Sequence, residues 1–139
     1  MIKNWIENNK IRTAKYWNDP VKEKTKVFNI SDNNVVKLEE DVHLKNIYNH
    51  LLEISNNENI SFKEKSILSL ASGTGWLEGR FLRDKKINKL SLVDFSKHRI
   101  HELSPKTLKL FGFDLDRVDL VYGNILDLKI KDNTQDIIL

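Results

Sequence analysis

Across residues 61–139 short apolar runs alternate with stretches whose apolar residues recur every three or four positions. The first run, Ile67-Leu68-Ser69-Leu70, stops at Ala71-Ser72-Gly73-Thr74-Gly75, and Trp76, Leu77, Phe81 and Leu82 follow at helical spacing. This predicts a strand over Ser66–Leu70, a tight turn, and a helix from Gly75 to about Asp84. A second strand is predicted over Lys89–Asp94. Ser96 is placed to cap the next helix, with Ile100 and Leu103 on one face, Ser104-Pro105 restarting it and Gly112 closing it. A third strand is predicted over Val118–Tyr122, a turn at Gly123-Asn124, and a fourth strand after Asp132-Asn133. Strands separated by helices pair in parallel through right-handed crossovers.

Residues 1–60 read as helical. Ile2, Trp5 and Ile6 share a face near the start, and Asp19-Pro20 breaks that segment. Leu44, Ile47, Tyr48, Leu51 and Leu52 keep amphipathic helical spacing. That helix is expected to begin after the cap-forming Ser31-Asp32-Asn33-Asn34 stretch and to end in Ser55-Asn56-Asn57-Glu58-Asn59, the best internal boundary. The predicted class is α/β, a parallel sheet with flanking helices over residues 61–139, preceded by a helical segment over residues 1–60. The chain finishes on Gln135-Asp136-Ile137-Ile138-Leu139, a strand-type run with no closing turn. A strand ending there exposes its edge. The expectation is therefore a sheet truncated after its fourth strand, with that edge open to oligomer contacts and the piece alone unstable or inactive.

Composition narrows the classes of function. At 139 residues with 40% hydrophobic and 31% charged positions, the chain suits one soluble domain. No apolar run is long enough for a membrane span, and the first residues lack a signal-peptide core. The chain has no cysteine, which excludes disulfides, thiolate catalysis and cysteine-ligated metals. These features are read as cytoplasmic. The net charge of +3 is small, and the early basic residues alternate with polar and acidic ones as on a solvated helix face. This argues against nucleic acid as a partner. His98 and His101 stand three apart on a predicted helix without a third ligand, so no metal site is assigned.

In an open parallel sheet, ligands sit beyond the carboxyl ends of the strands, where strand order reverses. Three candidates fall at such ends. Backbone amides of Ala71-Ser72-Gly73-Thr74-Gly75 can hold a carboxylate or phosphate. Asp94, about 20 residues on, can accept hydrogen bonds from both hydroxyls of a ribose. Asn124 has an amide that can read the edge of a purine. Each has a plainer reading as a turn or cap residue. Their occurrence at the ends of three successive strands is what predicts a shared pocket.

This set resembles the class I S-adenosylmethionine-dependent methyltransferases, over residues 61–139. Ser69-Leu70-Ala71-Ser72-Gly73-Thr74-Gly75 is similar to the family's first motif, with Ser69 where an acid is usual and Ala71 where the first glycine is usual. Ser69 can still hydrogen-bond but supplies no charge toward the cofactor's ammonium side. Val93-Asp94-Phe95-Ser96 resembles the end of the second strand, and Gly123-Asn124-Ile125 the third motif. The resemblance implies a Rossmann-like sheet binding S-adenosyl-L-methionine through Ser69, Ala71, Ser72, Gly73, Gly75, Asp94, Phe95, Asn124 and Ile125. It implies methyl transfer to a small-molecule or macromolecular acceptor that the sequence does not name. No catalytic base is assignable, and none is needed in every member, since a sulfonium is already a good leaving group. Residues 1–60 would form a lid, with Tyr16, Trp17 and Asp19 as candidates to cover the cofactor.

Two other readings stay open. A nicotinamide-dependent oxidoreductase would need Gly-x-Gly-x-x-Gly, but from Gly73 the third position is Glu78, and Gly79 misses by one. An acidic side chain there would be expected to crowd the helix against the strand. A non-catalytic S-adenosylmethionine-binding module is the third reading.

Overall fold

The computed structural model describes residues 41–139. The early helix face at Ile2, Trp5 and Ile6, the break at Asp19-Pro20, the lid candidates Tyr16, Trp17 and Asp19, and residues 31–34 lie outside the described residues.

The described part begins with α1 (Val42–Asn57). Its cap is Asp41, whose carboxylate accepts from the amides of His43 and Leu44, so the helix starts about seven residues after the polar stretch expected to precede it. It ends where the sequence predicted, and Asn59 takes a left-handed φ of 51° just beyond. Strand β1 (Ser66–Leu70), α2 (Trp76–Leu82) and β2 (Lys89–Asp94) follow. Next come a π-helical turn (Arg99–Leu103), α3 (Ser104–Leu110), β3 (Val118–Tyr122) and β4 (Ile137–Ile138).

The four strands form one parallel sheet in the order β3-β2-β1-β4. Strand order therefore reverses at β1, with β2 on one side and β4 on the other. In the register, Ile67 lies beside Leu90, and Leu90 beside Val118, so these side chains share one face. Strand β2 is buried from Leu90 to Asp94, as expected of a central parallel strand covered on both faces. Ile67, Leu90 and Leu92 pack with Phe81 and Leu82 of α2, Ile100 of the π-turn and Leu108 of α3. Tyr48, Leu51 and Leu52 of α1 add to this core. Phe81 stands edge-on to both Tyr48 and Phe62, which fixes α1 and the segment before β1 against α2.

The connection from β2 into α3 has a detail the hydrophobic spacing does not reveal. The Ser96 hydroxyl accepts from the Arg99 amide as a cap, as predicted. The Ser104 amide then bonds to the Arg99 carbonyl, five residues back, so one turn is wider than an α-turn. The Ser104 hydroxyl donates at 2.9 Å to that carbonyl and at 3.2 Å to the Gly73 carbonyl, which ties the wide turn to the loop after β1. No described helix is long and apolar enough to cross a membrane.

Candidate functional site

The loops after β1, β2 and β3 are tied to one another, and Asp94 is the knot. One carboxylate oxygen accepts from the Gly73 amide at 2.8 Å, and the other accepts from the Ser96 amide at 2.8 Å. The Asp94 carbonyl accepts from the Gly123 amide at 3.1 Å, and the Val93 carbonyl accepts from the Ser72 amide at 3.0 Å. The three sequence candidates at strand ends are thus brought to one edge of the sheet. Asp94 is only 9% exposed and already holds two amides. Each carboxylate oxygen keeps a second acceptor site in principle.

The loop after β1 depends on left-handed backbone at alternate positions. Ala71, Gly73 and Gly75 have φ of 56°, 59° and 72°. At Ala71 this conformation costs about 1–2 kcal/mol that glycine would not incur. A side chain at position 75 would also come within 2.9 Å of Leu92. Gly75 is therefore a packing residue beneath the loop, buried against β2 and α3.

Two adjoining cavities open on this edge. The larger, about 430 Å³, is bordered by Ser69, Ala71, Ser72 and Gly73 on one side and by Leu44 and Ile47 of α1 on another. The smaller, about 240 Å³, is bordered by Asp94, Phe95 and Ile125. Ala71 and Arg99 border both. Asn124 lines neither: its side-chain oxygen accepts from the Leu126 amide at 2.9 Å and holds its own turn. Ile125, the next residue, does reach the smaller cavity.

Glu78 departs most from the sequence reading. It does not crowd the helix against the strand. Its side chain is buried, 4% exposed, and accepts a short hydrogen bond of 2.5 Å from the Ser69 hydroxyl. Burial raises its pKa above the ordinary carboxylate value; hydrogen bonds from Ser69 and from its own amide oppose this, and the charge of Asp94 adds to it. Its second oxygen has no hydrogen-bond partner among the described residues. Gly79 makes the close approach instead: a Cβ there would lie 2.5 Å from the Phe111 ring.

Among solved structures, the chain is similar to a Methanococcus maripaludis protein assigned as an S-adenosyl-L-methionine-dependent methyltransferase, with 26% identity and a TM-score of 0.57 over 76% of this chain and 46% of that one. The fold is that of the S-adenosylmethionine-dependent methyltransferases. An Aquifex aeolicus S-adenosylmethionine-dependent methyltransferase shares the fold at 17% identity, with a TM-score of 0.53 over 79% of this chain and 56% of that one. So does a structure from Haloferax volcanii of a methyltransferase with its activator protein, at 16% identity and a TM-score of 0.51 over 77% and 42%. The chain spans about half the length of these structures. No protein-family profile and no curated protein matches it.

Against this methyltransferase fold, the sequence missed three contributors to the site: Glu78, Arg99, and the Leu44–Ile47 wall. For α1 a signal existed. Its apolar stripe runs further toward its N-terminus than the core needs, and the surplus residues border the cavity. Among the described residues no group of three or more histidine, cysteine or acidic side chains is placed to hold a metal.

Proposed function

We propose that this chain is the cofactor-binding part of an S-adenosyl-L-methionine-dependent methyltransferase, acting on a small-molecule or macromolecular acceptor in the cytoplasm. The observation that carries the reading is the double role of Asp94, which joins the loops of all three strands where two cavities meet. In this reading residues 1–60 form a covering segment and residues 61–139 the first half of the cofactor domain. Ser69, Ala71, Ser72 and Gly73 border the space for the amino-acid end, and Gly75 keeps their loop seated. Asp94 receives the ribose hydroxyls, Phe95 and Ile125 flank the base, and Asn124 offers its remaining amide hydrogens to it.

When bound, the cofactor supplies an activated methyl group on sulfur. The chain's own contribution is to hold that group in place and keep water away from it, for which the apolar wall of Leu44, Ile47 and Leu51 is suited. The dinucleotide alternative meets a specific obstacle. A dinucleotide would set its pyrophosphate against the start of α2, where Glu78 presents a buried carboxyl group.

Titration calorimetry with S-adenosyl-L-methionine and with NADH tests the reading. Saturable binding of the first and none of the second is expected. The reverse result overturns it.

A further inference from the structure

We propose that the Ser69–Glu78 pair is the receptor for the positively charged amino group of the bound cofactor, with Glu78 on the helix supplying the charge that the strand end lacks. The proposal rests on the methyltransferase reading above and adds a residue to it.

The argument starts from an imbalance. Glu78 is buried, yet only one of its two carboxylate oxygens has a partner, the Ser69 hydroxyl. An unmatched buried carboxylate oxygen is costly, and such a group persists where something else completes it. Both residues line the larger cavity, whose walls are otherwise mostly apolar. Among the side chains bordering that cavity, Glu78 is the only acid and Arg99 the only base. The missing partner is therefore a hydrogen-bond donor, and a cation matches a carboxylate better than a neutral donor does.

Position selects which end of the ligand this is. Asp94, Phe95 and Ile125 border the smaller cavity, and Ala71 and Arg99 link it to the larger one. A nucleoside placed in the smaller cavity sends its tail across Ala71 toward Ser69 and Glu78. The α-ammonium is the one group on that tail with hydrogens to give to a carboxylate. Ser69 spends its proton on Glu78 and keeps its lone pairs, so hydroxyl and carboxylate together can accept from one ammonium.

Calorimetry on the full chain with three ligands tests this. They are S-adenosylhomocysteine, its analogue with the α-amino group replaced by hydrogen, and methylthioadenosine, which lacks the amino-acid end. The native chain should bind S-adenosylhomocysteine at least about tenfold more tightly than the deamino analogue, the scale of one charged hydrogen bond. Glu78→Gln should lose that preference and leave methylthioadenosine binding unchanged. Adding Ser69→Asp to Glu78→Gln should restore the preference.

Equal binding of the amino and deamino ligands by the native chain overturns the proposal and leaves the methyltransferase reading standing. So does a loss in Glu78→Gln that is the same for all three ligands. Failure of the native chain to bind any of the three overturns both. The comparison of ligands on the native chain needs no variant, so it decides the matter even if Glu78→Gln does not fold.

Discussion

The loop after β1 and the loop after β3 lie at the same edge of the sheet, yet they are built on different terms. The first is clamped from several sides. Its amides reach Val93 and Asp94, the Gly73 carbonyl receives the Ser104 hydroxyl, and Gly75 is pressed against Leu92 and Leu108. The second is tied across by the Gly123 amide and otherwise holds itself, through Asn124 bonds to Leu126 and Asp127. Ile125 and Leu126 are 43% and 79% exposed. In the proposed site, the clamped loop sets position and the open loop adapts to what arrives. Ordering the open loop would then draw on binding energy, whereas the clamped loop is ordered before the ligand comes.

Glycine-to-alanine substitutions sharpen this contrast most. Gly75→Ala should cost about 2–3 kcal/mol in urea unfolding, combining left-handed strain with contact on Leu92. Gly123→Ala should stay within about 0.5 kcal/mol, because the nearest side-chain atom is 3.8 Å from the new methyl. Comparable losses at both positions would remove the distinction between the loops.

Asp94→Ala tests whether the knot is structural as well as ligand-binding. Stability should fall by about 1.5–3 kcal/mol, since two backbone amides lose a charged acceptor. S-adenosylmethionine affinity should fall with it. A binding loss at unchanged stability would mean that the clamping bonds matter little.

A smaller effect of opposite sign is expected at Ala71. Replacing it with glycine should stabilise the chain by about 1 kcal/mol, because left-handed strain is relieved and only part is returned as chain entropy. A thermal midpoint that drops would mean that the clamped loop does not hold this residue at positive φ.

The last prediction concerns pH. Burial raises the pKa of Glu78, so the folded chain binds this proton more tightly than the unfolded one. Its contribution is fully present below the unfolded carboxyl range, about 4.3, and is lost as pH rises through the higher folded value. Native stability should therefore fall relative to Glu78→Gln as pH is raised from the acid side toward neutrality. A difference between the two proteins that does not vary with pH would show that the carboxyl group is not desolvated.

Strands β1, β2 and β3 could be read from the sequence to the residue. Their apolar runs are bounded by turn-forming residues, and burial on both faces leaves little room for another register. The start of α1 could not, because Ser31, Asp32 and Asp41 are all competent caps and only tertiary packing chooses among them. Asp94 and the loop after β1 were legible as site candidates from their order along the chain. Glu78 was not. Hydrophobic spacing records which positions are apolar, so an acid turned inward onto a serine nine residues earlier looks like any solvated helix residue. Ala71 was legible as a small residue, but its positive φ was not, since nothing in the identity of an alanine announces it.

The wide turn at Arg99–Leu103 has a consequence for how the chain tolerates insertions and deletions. It carries one residue more than an α-helical path would use. Deleting a single residue there would let the segment wind as ordinary helix, but everything downstream would be rotated by about 100°. Leu108 would then swing off Gly75 and Phe111 off Gly79, dismantling from behind a loop that the deletion never touched. Between Ser96 and Ser104 the length of the chain acts as a timing element, and losing one residue there should do more harm than most substitutions.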